Sequence, residues 1–182
     1  MSNFEEKNNN EEKKIKKAER SIRDLQITGV YVIVFALALW ILFGWIIGFA
    51  TMPNNDMYPR LDAGDLVLYY RIDKDVKAQD VIVFEKNDTR YIARVVAVAG
   101  DTVEITDDEH LVINGNKVIE NNIYESTPRY NGYTEYPLTL GDNECFVLVD
   151  KRSGGEDSRY YGAVNRKEII GTVITIARRN AL

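Results

Sequence analysis

The chain has 182 residues, 45% hydrophobic and 28% charged, with a formal net charge of −5. This composition suits one globular domain of ordinary size plus an appendage. The single cysteine, Cys145, excludes an intramolecular disulfide. The single histidine, His110, sits in a DDEH turn and reads as a solvated turn residue, so neither a Cys/His metal cluster nor a Ser-His-Asp triad can be assembled. No metal or cofactor is expected.

Taken in chain order, residues 1–12 (MSNFEEKNNNEE) read as a polar, disordered start, and the Glu- and Lys-rich stretch 11–23 as the inward continuation of a helix. Residues 27–52, ITGVYVIVFALALWILFGWIIGFATM, contain no charged residue. A helix rising about 1.5 Å per residue needs roughly 20 residues to cross a bilayer, so this run is long enough to span with some tilt. Buried core helices are usually shorter and amphipathic, and the apolar part of a cleaved signal peptide covers only about 7–15 residues, so an uncleaved anchor fits best. Tyr31 suits a headgroup boundary, whereas Trp40 and Trp45 lie inside the run.

Lys13, Lys14, Lys16, Lys17, Arg20 and Arg23 precede the run, and the first positive residues after it are Arg60 and Arg71. Their asymmetry predicts a cytoplasmic amino terminus and an extracytoplasmic carboxyl-terminal domain at the cell membrane. Three regions are thus expected: a tail and basic helix start (1–26), a transmembrane anchor in the lipid bilayer (27–52) and an outer domain (53–182). Of 23 Lys+Arg and 28 Asp+Glu, seven and six precede the run, leaving 16 against 22 beyond it and a net of −6. That balance argues against nucleic acid as a partner.

Beyond residue 60 short β-branched runs alternate with turn residues. DLVLYYRI (65–72), DVIVFEK (80–86), RYIARVVAVA (90–99), DTVEIT (101–106), HLVING (110–115), CFVLVD (145–150) and IIGTVITIA (169–177) all read as strands. Asn114-Gly115 is a two-residue hairpin signal. Seven such strands without intervening helices predict a mainly β domain of antiparallel sheets, a sandwich or folded barrel, with 116–144 as an irregular cap or insertion. Leu66, Leu68, Val81 and Val83 alternate as one face, core or groove.

Three stretches, DMYPRLDAGD (56–65), YIARVVAVAGD (91–101) and VDKRSGGEDSRYYG (149–162), follow the anchor in that order. Together they resemble the motifs of bacterial type I signal peptidases (family S26), which read S-M-x-P-T-L-x-x-G-D, Y-x-K-R-V-x-x-x-P-G-D and G-D-N-R-x-x-S-x-D-S-R-x-x-G. The resemblance implies a signal-peptidase-like fold whose scaffold positions are Met57, Pro59, Gly64, Asp65, Arg94, Gly100, Asp101, Asp150, Arg152, Asp157, Ser158 and Arg159. It also implies Ser/Lys catalysis, in which a desolvated lysine takes the proton of the serine hydroxyl. Here Asp56 stands at the serine position, Ala93 at the lysine position and Gly155 at the serine that orients the lysine; Val149 and Lys151 replace a glycine and an asparagine.

Alanine transfers no proton, and an ionised aspartate opposes the negative charge developing on a scissile carbonyl oxygen. The expectation is therefore a protein without an intact catalytic pair, similar to the pilus-assembly members of the family in Gram-positive bacteria. Such a chain would be a non-catalytic chaperone or scaffold for pilin precursors, a sortase or other secreted proteins, holding extended segments by strand addition. Two alternatives stand beside it: an active signal peptidase that processes signal-peptide-bearing preproteins, and a regulatory partner of an active paralogue. Rescue of catalysis would have to come from Ser153, Ser158 or Lys151, or from Asp56 and Asp157 sharing a proton about 3 Å apart. Otherwise Asp56 is a solvated carboxylate or the partner of Arg60 or Arg94, and Met57 and Tyr58 either rest on the membrane interface or pack inward.

Overall fold

A computed structural model describes residues 2–121 and 123–178 and divides into two units, 1–44 and 45–182. The first is a single helix, α1 (Ser2–Ile41), which passes into a π-helical turn at Leu42–Ile46. Residues 2–12, expected to be disordered, belong to this helix; their Glu and Lys are good helix formers and extend what the apolar run nucleates. Within the helical run, Glu19–Ile46 is long and apolar enough to cross a membrane, with none of its most apolar stretch buried. Side chains such as Phe35 and Trp40 point away from protein. An apolar helix of this length fits a single-pass membrane anchor.

The helical run ends at Ile46, not at residue 52. Residues Ile47–Thr51 form strand β1 of the second unit, with Gly48 buried and Phe49 exposed. This half-buried strand was hidden because apolar strand and apolar helix look alike when one follows the other without a polar break.

The remaining strands are β2 (Leu66–Tyr70), β3 (Val81–Lys86), β4 (Thr89–Ala97), β5 (Thr102–Ile105), β6 (Leu111–Ile113), β7 (Asn116–Lys117), β8 (Leu138–Thr139), β9 (Glu144–Leu148), β10 (Val164–Asn165) and β11 (Ile169–Ala177). Seven make an antiparallel sheet in the order β1-β2-β11-β3-β4-β9-β10, and four make a second sheet in the order β7-β6-β5-β8. The seven-strand sheet is open, ending at β1 and β10. The folded barrel expected from the sequence is therefore corrected to two open antiparallel sheets. Asn114 and Gly115 both have positive φ, at 51° and 78°, and join β6 to β7 in the expected two-residue hairpin.

Strands β4 and β9 link two apolar cores. Alternation along β9 sends Cys145 and Val147 into the core of the large sheet and Phe146 and Leu148 into the core of the small one. Both faces of these strands are buried, which is why they read as continuous apolar runs.

Among its described residues the 116–144 segment contributes β7, β8 and the first residue of β9 and is otherwise irregular. Two fully buried arginines pin it down. Arg152 donates to Val149 O (2.8 Å), Thr127 Oγ1 (2.7 Å) and Glu120 Oε1 (2.7 Å). Arg159 lies over the Tyr130 ring at 4.5 Å and donates to Pro128 O. A buried ion pair broken on one side leaves an uncompensated charge. Arg152→Met is accordingly expected to lose about 3–5 kcal/mol in urea unfolding, and limited proteolysis should then cut first within 116–144.

Candidate functional site

The first motif forms a closed turn between β1 and β2. Its neck is bonded by Met52 N–H to Asp65 O (2.9 Å) and Gly64 N–H to Met52 O (2.8 Å), and Asp65 Oδ2 accepts from Asp62 N–H (3.0 Å). Met57 and Leu61 pack into the core, whereas Tyr58, Pro59 and Arg60 are exposed. Met57 thus packs inward, and it fixes the turn so that Asp56 is presented half-buried at its crest.

Asp56 is held from three sides. Asn54 Nδ2 donates to its Oδ2 at 2.6 Å, and its carbonyl accepts from Lys151 N–H at 2.8 Å, tying the first motif to the third. On the third side stands Gly155, with φ of 79°. A Cβ built there would lie 2.9 Å from Asp56 Cγ and 3.0 Å from Oδ2. The missing side chain at 155 is the space the carboxylate uses.

Burial pushes the Asp56 carboxyl above its ordinary range. The Asn54 bond and the Lys151 charge pull it back, and Asp157 and Glu156 push it further up. Neither arginine expected beside it is its partner. Arg94 forms a buried two-pronged pair with Asp150 (Nε–Oδ1 2.7 Å, Nη2–Oδ2 2.6 Å) and donates to Gln79 O, and Arg60 is exposed.

Ala93, in β4 opposite Ile82 of β3, is buried in the large core and brings no polar atom to the site. Asp157 caps the short helix α2 (Ser158–Tyr161). Its Oδ1 accepts from Arg159 N–H and Nε, and its Oδ2 from Arg159 Nη2 and Val149 N–H, all within 2.8–3.1 Å. With every lone pair engaged, Asp157 has none left with which to share a proton with Asp56. Ser158 is fully buried and its Oγ accepts from Val147 N–H, whereas Ser153 is exposed with its N–H on Glu125.

Gly100 and Asp101 turn the chain into β5. Asp101 accepts from Val98 N–H and Asn114 Nδ2, and Gly100 N–H reaches Leu140 O. Cys145, buried in the core of the large sheet, has its thiol pushed up to about 12 by desolvation, which leaves it a poor nucleophile.

Two hollows adjoin the Asp56 turn. One, of about 420 Å³, lies between β1 with the turn after it and the start of β4, lined by Ala50, Thr51, Pro53, Leu66, Arg90 and Ile92. The other, of about 610 Å³, is bounded by Asn55, Tyr58 and Pro59, by Tyr124 and Glu125 of the 116–144 segment, and by Asp150 and Lys151. Sequence reasoning placed a groove along β2 and β3, but each of those strands has neighbours on both sides. The first hollow involves instead the terminal strand β1 and the part of β4 that runs past its pairing with β9, which spans Arg94 to Ala97. Of the alternating face, Leu66 is exposed, Leu68 and Val81 half-buried and Val83 fully buried.

An apolar amino-terminal helix that fits a single-pass membrane anchor precedes an antiparallel β domain in which the first and third motif segments meet at Asp56. Residues 25–177 match the family described as signal peptidase, peptidase S26, and the chain belongs to that family. Among its relatives, signal peptidase I S of Bacillus subtilis (strain 168) is 31% identical over 152 residues, covering 77% of this chain and 82% of the relative. A probable signal peptidase I-2 of Synechocystis sp. is 27% identical, covering 66% and 58%. Signal peptidase I of Pseudomonas fluorescens is 28% identical, covering 67% and 58%, so the chain spans little more than half of these last two. A crystal structure of a signal peptidase I from Enterococcus faecalis V583 is 29% identical with a TM-score of 0.45, covering 56% of this chain and 97% of that one.

Two outcomes follow from this geometry. Gly155→Ser is expected to destabilise the protein by about 1–3 kcal/mol through crowding at Asp56. A double-mutant cycle with Asp56→Ala should return a coupling of about 1 kcal/mol, whereas simple additivity would mean that the two positions do not press on each other. The second outcome concerns pH. A carboxyl whose folded pKa lies above its unfolded one costs stability when ionised, and the cost disappears as pH falls below the unfolded value. Asp56→Asn should therefore melt higher than the native chain at neutral pH, and the difference should vanish below about pH 4.

Proposed function

We propose that this chain is a membrane-anchored signal-peptidase-fold protein that binds extended segments of exported proteins without hydrolysing them, serving as a chaperone or scaffold in pilus or secreted-protein assembly. In this reading the amino terminus is cytoplasmic, residues 27–46 cross the bilayer and the β domain works on the outer face, as the Lys/Arg asymmetry supports. Asp56, Ala93 and Gly155 occupy the positions of nucleophile, base and base-orienting residue.

The observation that carries the reading is the mutual fit of Asp56 and Gly155, with Ala93 an apolar residue of the core. A carboxylate that fills the space of a neighbouring side chain belongs to a settled arrangement, and nothing at 93 can take a proton. Binding needs neither serine nor lysine. A client strand laid in the β1/β4 hollow would gain backbone hydrogen bonds, with small side chains entering toward Ala50 and Ile92.

The names of the relatives favour the other reading, an active signal peptidase acting on preproteins. The two are separated by a precursor-cleavage assay on the full chain in detergent, comparing the native protein, Asp56→Ala, and Asp56→Ser combined with Ala93→Lys. The expected result is no turnover by the native chain or Asp56→Ala, with retention of pilin precursors, a sortase or another exported client on immobilised native protein. Native turnover that Asp56→Ala abolishes would make the carboxylate a working catalytic group and overturn the proposal.

A further inference from the structure

Away from the Asp56 turn, a hollow of about 540 Å³ opens at the end of the large sheet, lined by Arg71, Lys74, Glu85, Lys167, Glu168 and Ile170 among others. Of its two carboxylates, Glu168 is engaged and Glu85 is exposed. Glu168 accepts from Lys86 Nζ at 3.1 Å and from Asn165 N–H, and Glu85 lies 3.9 Å from Arg90. Lys74 and Lys167 form no ion pair within 4 Å among the described residues. Arg71, Lys74 and Lys167 against Glu85 and Glu168 leave the lining one positive charge in excess.

The place of this hollow in the chain is as telling as its charge. Arg71 N–H donates to Ile46 O at 2.9 Å, so one wall is hydrogen-bonded to the last residue of the membrane-competent run. Trp45, of a type favoured at headgroup level, is exposed, and so are Ile72 and Asp73, which stand between Arg71 and Lys74 along the chain; Asp73 Oδ1 accepts from Asp75 N–H. Basic groups around an open hollow, an exposed isoleucine beside it and a bilayer crossing one residue from β1 are the parts of a headgroup site. The lysines would meet a phosphodiester while Ile72 lies along the acyl boundary.

We infer that this hollow binds the headgroup of an anionic phospholipid in the leaflet nearest the β domain, and so fixes the height of the domain over the membrane. This inference is independent of whether the Asp56 turn binds or cleaves a client. Each lysine contributes about a fivefold preference for the anionic surface at low salt, and screening weakens it.

The test is hydrogen exchange of the full chain in nanodiscs of phosphatidylcholine alone and of phosphatidylcholine with phosphatidylglycerol. Amides of 71–74 and 167–170 should exchange about fivefold more slowly in the anionic discs. Lys74→Ala with Lys167→Ala should lose that protection while β9 amides keep theirs, and Lys117→Ala, an exposed lysine on the small sheet, should not. Equal exchange in the two lipids, or protection that survives the double substitution, would overturn the inference. Equal protection in phosphatidylcholine discs on adding free glycerol phosphate would overturn it in favour of a soluble phosphate site.

Discussion

The pair between Arg159 and Asp157 is the constraint on which most of the β domain depends. Both side chains are fully buried, and the carboxylate meets two guanidinium nitrogens and two backbone N–H groups. Taking two charges out of water is tolerable only when every remaining donor and acceptor is satisfied. Satisfying them brings distant segments to one place. Arg159 also holds Arg152 O, and Arg152 in turn holds Glu120 and Thr127. A polar knot inside an apolar β domain thereby gives the irregular 116–144 segment a fixed address that hydrophobic burial alone would not specify.

The same knot governs what the first motif can present. Strand β9 leads into the third motif at Val149, and that motif supplies the Lys151 N–H that bonds Asp56 O and the Gly155 against which the carboxylate rests. Arg94 and Asp150 add a second buried pair, which joins β4 to the chain just after β9. These two buried ion pairs hold the domain through side chains other than those of Asp56 and Ala93.

Opposing influences meet at the Asp56 carboxyl. The carboxyl is crowded by burial and by the charges of Asp157 and Glu156, and relieved by Asn54 and Lys151. Such a balance leaves a polar, hydrogen-bonded crest between two hollows.

The amino-acid sequence by itself determined the apolar anchor, the strand-forming segments, the Asn114-Gly115 hairpin and the three motif segments, because each depends on local pattern: the length of an apolar run, β-branched alternation, or turn chemistry. Strand β1 escaped notice because nothing polar separates it from the helix, and its membership of the sheet is decided by pairing with β2. The partner of Arg94 and the fit of Asp56 to Gly155 join residues 56 and 99 positions apart, and the saturation of Asp157 rests on a bond to Val149 as well as on its neighbour Arg159. Only the tertiary structure decided these. Distance in sequence carries no information about which buried charge meets which, and the desolvation cost that selects the partner exists only once the chain has folded around it.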